Sequence, residues 1–196
     1  MSDPRCQRFF QAGEPLMERF GYRKTTVEDI CRQAGSSKRT FYELFQDKAD
    51  FFAALLTEIV NDMTDRWERG LRTGQDPIQR LKSFLDLYAK VIRERPVLRL
   101  LTEEFELMGS FQGRLDDIRI SRAGGPLERT LQEGVADGTF RKMDTRIATW
   151  LIFTLLDTVY LLLPTMTGLP GALEDPGLAR ETGRFILHGL GARPVE

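Results

Sequence analysis

Lys38, Arg39, Thr40 and Tyr42 fall within five consecutive residues, and Lys48 follows six positions later. A guanidinium or ammonium neutralises a phosphate, and a hydroxyl both donates and accepts. The set therefore suits the backbone and base edges of a nucleic acid. Each side chain alone is equally at home on a solvated helical surface; only a shared element makes them an interface. Other candidate chemistry is sparse. His188 is the single histidine and has no carboxylate or cysteine at ligand spacing. The sequence contains no zinc-binding pattern, no phosphate-cradling Gly loop and no Cys/His or Ser/His constellation. Glu103, Glu104 and Glu106 read as the polar side of a helix. No catalytic residue, metal or cofactor is therefore expected. Cys6 and Cys31 each occupy an apolar helical position, as small core residues of a reducing compartment do.

Residues 25–48 have to position the basic cluster. Val27, Ile30, Cys31 and Ala34 recur at i, i+3, i+4 and i+7, one buried stripe on a short helix. Thr26 precedes that stripe with Asp29 three residues on, a cap whose carboxylate suits the electropositive first turn. Gly35 ends the helix, because glycine enters the left-handed conformation without steric cost. Ser36 and Ser37 are candidate caps for a second helix. On it Phe41, Leu44 and Phe45 face inward, leaving Lys38, Arg39, Thr40 and Tyr42 outside. Two short amphipathic helices about a Gly turn describe a helix-turn-helix whose second member fits a major groove.

This stretch resembles the DNA-binding domain of the TetR family of transcriptional regulators. The likeness extends upstream through Phe9, Phe10, Ala12, Leu16, Met17 and the pair Gly21-Tyr22, and downstream through Phe45, Asp47-Lys48 and Phe51. At Ser36 the family usually carries an apolar residue that pins the turn. The resemblance implies DNA binding through Thr25, Thr26, Ser36, Ser37, Lys38, Arg39, Thr40, Tyr42 and Lys48. In that picture Lys38, Arg39 and Thr40 face bases or adjacent phosphates, while Thr26, Tyr42 and Lys48 grip the backbone. It also implies a palindromic double-stranded operator, a homodimer joined through the last two helices, and a repressor released by a small-molecule inducer. The alternatives are a helical enzyme, for which no catalytic constellation exists, and an interaction module that does not bind DNA.

A chain of 196 residues and 22.5 kDa holds a small reader domain, residues 1–50, and a larger helical domain, residues 51–196. The net charge of −1 argues nothing for nucleic acid, and residues 1–50 carry nine Lys/Arg against eight Asp/Glu. Binding would have to come from local placement, since no bulk positive field exists. The N-terminus lacks an apolar segment, so a signal peptide is not expected and a cytoplasmic protein is. Residues 147–163 are the most apolar run but include Thr149, Thr154, Asp157 and Thr158, which predicts a buried helix without a membrane partner.

The rest of the chain reads as all-α, with no period-two alternation over strand length. Asp3-Pro4 starts a first helix with the stripe Phe9, Gly13, Leu16 and Phe20; Pro15 beside Gly13 predicts a bend near residues 13–15. Phe52, Leu55, Leu56, Ile59, Val60, Met63 and Trp67 predict a helix of about six turns. Asp76-Pro77 opens a helix through Ile78, Leu81, Phe84, Leu85, Tyr88 and Ile92. Pro96 starts a shorter one, and Gly124-Gly125-Pro126 should break the next.

Residues 145–163 form the most informative later helix. Apolar nearly all round, it must be covered on both sides, by its own domain and by a second subunit. Asp157 among aromatics requires either a hydroxyl or Arg partner, or a place as the polar anchor of a ligand pocket. The pocket expected there is lined by Tyr88, Phe105, Met108, Trp150 and Phe153. The last helix, residues 178–190, aligns Thr182, Phe185 and Gly189 and predicts close packing across a two-fold axis.

Overall fold

The computed structural model describes residues 3–70, 76–100, 124–168, 171, 173 and 175–192. In chain order the helices are α1 (Pro4–Lys24), α2 (Val27–Gln33), α3 (Lys38–Leu44), α4 (Lys48–Gly70) and α5 (Pro77–Glu94). A 3-10 turn (Pro96–Arg99) follows, then α6 (Gly124–Ala136), α7 (Thr145–Asp157), a π-turn (Thr158–Leu162), α8 (Leu163–Thr167) and α9 (Pro176–Gly189). The fold is all-helical, with no strand among the described residues. Phe105, Met108 and the three glutamates at 103, 104 and 106 lie outside the described residues. Two compact units divide the chain: Met1–Ile59 with Arg95–Leu115, and Val60–Glu94 with Asp116–Glu196.

Most helix starts follow an acceptor read directly from the sequence. Asp3 accepts the N–H of Arg5 at 2.8 Å, Ser37 that of Thr40 at 3.1 Å, and Asp47 that of Asp50 at 2.7 Å. In the second unit Asp76 accepts from Gln79 at 2.8 Å and Asp144 from Ile147 at 3.0 Å. Asp175 caps α9, so Pro176 at its first turn starts that helix two residues before the expected position.

The first unit is held by phenylalanine. Phe9, Phe10, Phe41, Phe45 and Phe51 are all buried, with ring centroids 5.1–6.0 Å apart in seven pairings. Such edge and tilted contacts each add about 0.5–1.5 kcal/mol beyond area burial and fix ring orientation, so α3 is pinned against α1 and α4. Gly13 belongs to this packing. A Cβ there would lie 2.5 Å from Phe51 Cζ, so only glycine lets the two helices approach. The expected bend near residues 13–15 is absent: the backbone stays helical through Pro15, and the single non-helical pair inside α1 is Gly21, at φ 80° and ψ 163°. Pro15 and Gln11 are both exposed, so the carbonyl that Pro15 cannot bond faces water. The inward stripe also ends earlier than expected, since Phe20 is exposed beneath the Arg19 guanidinium, 5.0 Å from its ring centroid.

The second unit has its own aromatic core. Phe84 packs on Trp67 at 5.0 Å and on Phe153 at 5.6 Å, and Tyr88 packs on Tyr160 at 5.7 Å. Gly124, Gly125 and Pro126 are all helical within α6, and whether a break precedes them lies outside the described residues. After α7 the helix widens into the π-turn. Pro164 cannot donate to the carbonyl four residues back and its ring crowds that carbonyl, and the Leu163 N–H instead reaches Thr158 O. The extra residue per turn brings Val159, Tyr160 and Leu161 inward together, which a regular 100° step does not.

Candidate nucleic-acid interface and effector cavity

The helix-turn-helix is built as its residues require. Thr26 Oγ1 accepts the Asp29 N–H at 3.1 Å and donates to the Asp29 carboxylate at 2.6 Å, while the Thr26 N–H reaches that carboxylate at 3.2 Å. The Thr26 hydroxyl and N–H hold the Asp29 carboxyl below its ordinary range. Gly35 takes φ 58°, and the Ser36 N–H closes back on Cys31 O at 3.0 Å. The turn is thus fixed by backbone bonds, which explains why a polar Ser36 is tolerated where the family favours an apolar residue.

On α3 the division of faces is sharp. Phe41 is fully buried, whereas the Arg39 side chain is 90% exposed and Tyr42 55% exposed. Lys38 pairs with Glu28 of α2, and Arg39 with Glu43 at 3.2 Å. Exposed pairs of this kind contribute about 0–1 kcal/mol, so either cation exchanges its carboxylate for a phosphate at little cost. Ser37 caps the helix and its Oγ lies 3.0 Å from Thr40 Oγ1.

Two of the nine expected contacts are placed differently. Thr25 is 2% exposed and its hydroxyl donates to Gly21 O at 2.8 Å, so it lies inside the corner between α1 and α2. Lys48 turns inward too. Its ammonium donates to the carbonyls of Tyr22 at 2.7 Å and Thr25 at 2.8 Å, with Arg23 O at 3.4 Å, and sits 4.2 Å from the Tyr22 ring centroid. An ammonium with three donors serves several carbonyls at one corner. In this arrangement Lys48 ties the start of α4 to the corner that carries the Thr26 cap, and its donors are not available to a phosphate.

In the second unit, Trp150, Phe153 and Asp157 of the expected pocket line one cavity of about 380 Å³. Glu128 of α6, Asp144 before α7, and Arg146 and Thr149 on it complete much of the wall. These four carry no motif in the sequence. Tyr88 lies beside the cavity, its hydroxyl donating to the Asp157 carboxylate. Asp157 therefore has a hydroxyl partner and lines the cavity as well. Among the described residues no group of His, Cys, Asp or Glu is arranged to hold a metal, and His188 is exposed. Cys6 is half-buried and Cys31 buried; burial pushes both thiols up, away from reactivity.

Residues 10–55 match the family described as bacterial regulatory proteins, tetR family. Over these residues the chain carries the DNA-binding domain of the TetR family of transcriptional regulators. It is a DNA-binding regulator and not an enzyme. The chain is 23% identical over 158 residues to the fatty acid metabolism regulator protein of Bacillus subtilis, covering 79% of itself and 80% of that protein. In fold it is similar to the fatty acid degradation regulator FadR of Bacillus halodurans, with a TM-score of 0.79 at 24% identity over 98% of this chain and all of that one. It is also similar to FadR of Bacillus subtilis, solved with stearoyl-CoA, with a TM-score of 0.76 at 20% identity over 93% and 98% of the two chains.

Proposed function

We propose that this regulator is a cytoplasmic homodimeric repressor, released from a palindromic operator by an acyl-coenzyme A thioester. Residues 1–50 read DNA and residues 51–196 bind the effector and dimerise. The exposure of Arg39 and Tyr42 on a helix whose opposite face is buried phenylalanine carries this reading. Helix α3 enters the major groove, with Lys38, Arg39 and Thr40 against base edges and neighbouring phosphates. Tyr42 and the exposed Thr26 contact the backbone. Two copies present their α3 helices about one DNA turn, or a multiple, apart. The thioester class is supported by the stearoyl-CoA complex of the Bacillus subtilis protein and by the aromatic cavity beside Asp157. The effector acts by binding more tightly to the arrangement whose reader spacing does not fit the operator.

The test is a mobility shift with DNA from upstream of the protein's own coding region, at two salt concentrations, with and without stearoyl-CoA. A shifted band that weakens steeply with salt and disappears with the thioester is expected. Retention of the band with saturating thioester overturns the effector; no shift at low salt overturns DNA binding at this site.

A further inference from the structure

Helices α5 and α9 face each other across a groove of about 820 Å³ that the reading above does not use. Five cations line it: Lys82, Lys90 and Arg93 from α5, and Arg180 and Arg184 from α9. The opposing charges on its walls are Asp86 and Glu94. Lys90 lies 3.7 Å from Glu94 and Arg184 lies 2.6 Å from Glu181, both as exposed pairs that a stronger anion displaces. Lys82, Arg93 and Arg180 have no ion pair among the described residues. Between the cationic rims the floor is apolar, with Leu85, Ala89 and Gly183. The space over Gly183 is open, the nearest atom to a Cβ built there being Leu85 Cδ1 at 4.0 Å.

Tyr160 lines this groove as well, and its ring packs on Tyr88, whose hydroxyl bonds Asp157 on the effector cavity. The two hollows thus stand back to back across the Tyr88–Tyr160 pair. Burial, helped by the charge of Asp86, raises the Tyr160 phenol, which keeps its proton for donation at neutral pH.

From the charge complementarity of these rims we infer that the α5–α9 groove binds the phosphorylated nucleotide head of a coenzyme A thioester. This rests on the reading that the effector is such a thioester. The head carries a pyrophosphate and a ribose phosphate, several negative charges on one small body, which matches three cations with no ion pair among the described residues, flanked by two that exchange readily. The planar adenine and the pantetheine arm suit an apolar floor between charged walls.

The experiment is calorimetric titration of the full chain at low salt with coenzyme A, with pantetheine, which has the arm but no phosphates, and with inorganic phosphate. Coenzyme A is expected to bind at least about tenfold more tightly than either of the others, because each charge-assisted contact retained is worth roughly a factor of ten. The double variant Arg93→Gln, Arg180→Gln should weaken coenzyme A by about tenfold or more and leave operator affinity within about twofold. Equal affinity for coenzyme A and pantetheine, or an unaltered double variant, overturns the site. So does inorganic phosphate binding as tightly as coenzyme A. A double variant that sediments as a monomer beside a dimeric parent also overturns it, by making the groove a subunit seam. Failure of stearoyl-CoA to release operator DNA, with coenzyme A still bound through these arginines, refutes the regulatory reading and leaves the groove in place.

Discussion

At the scale of single residues, exposure and engagement separate the side chains proposed to read DNA from the supporting ones. Arg39 and Tyr42 stand on the outer face of α3, one a forked donor, the other a phenol reaching sideways. Arg39→Ala is expected to cost about 1–3 kcal/mol on the preferred sequence and to relax discrimination at one base position. Tyr42→Ala should weaken all DNA sequences alike. Competition binding on a panel of point-substituted operators measures both, and equal losses across the panel for both variants refute the division. Lys48 gives a sharper contrast. As a phosphate ligand its removal would lower the slope of log affinity against log salt by about one; as the clamp on the Tyr22 and Thr25 carbonyls it should leave that slope unchanged. Lys48→Ala is expected to lower stability by about 2 kcal/mol in denaturant unfolding, through two lost charge-assisted bonds, and to weaken DNA binding at constant slope. The type and place of Lys48 suggested a phosphate contact because its sequence position cannot reveal that the carbonyls of Tyr22 and Thr25, more than 20 residues upstream, lie within its reach.

At the scale of elements, local chemistry was legible and close approach was not. The first three helices of the reader were marked in the sequence by a cap acceptor, Asp3, Thr26 and Ser37. The Thr26–Asp29 box adds an acid sensitivity of definite sign. The folded Asp29 carboxyl is lowered, so its contribution is present above the ordinary aspartate value, near pH 3.9, and is lost as pH falls through the lower folded value. The Thr26 amide resonance should therefore titrate with a midpoint below that of an unperturbed aspartate; a midpoint at or above it refutes the box. Gly13 shows what periodicity hides. Beside Pro15 it reads as a hinge, and a hinge glycine replaced by alanine would stabilise α1 by about 1 kcal/mol. The structure sets it against the Phe51 ring, where an added methyl meets Cζ at 2.5 Å. Gly13→Ala is therefore expected to destabilise by about 1–3 kcal/mol in the same unfolding measurement. The two accounts predict opposite signs. The π-turn was equally hidden, because Pro164 announces a lost hydrogen bond but not the widening that replaces it.

At the scale of the whole molecule, the open question is what covers the outer face of the second unit. Ile147, Leu151, Thr154 and Thr158 recur at i, i+4, i+7 and i+11 on the solvent side of α7 and the turn that follows. Phe185 stands 71% exposed on α9. The segment Thr145–Leu162 is long and apolar enough to cross a membrane by length and composition. Ile152, Phe153 and Leu156 on its other side are already buried by the protein, however, so only one face remains for any partner. The homodimer proposed above places a second copy on α7 and α9 about a two-fold axis, since an isologous interface uses the same patch twice. A stable dimer needs about 800 Å² per partner, with aromatic anchors near its centre, and Phe185 is an exposed aromatic of α9. Phe185→Glu puts a charge on each copy at that seam, where neither is hydrated or paired. The variant is expected to sediment at 22.5 kDa instead of twice that mass. It should keep its helical content, because Phe185 touches water in the monomer. Operator affinity should fall by about 10²–10⁴, since each α3 then binds its half-site without the effective concentration the linked second reader supplies. Binding to a single half-site should be unchanged. A Phe185→Glu chain that remains dimeric would refute this face as the seam, and a monomer with full operator affinity would refute the requirement for two linked readers.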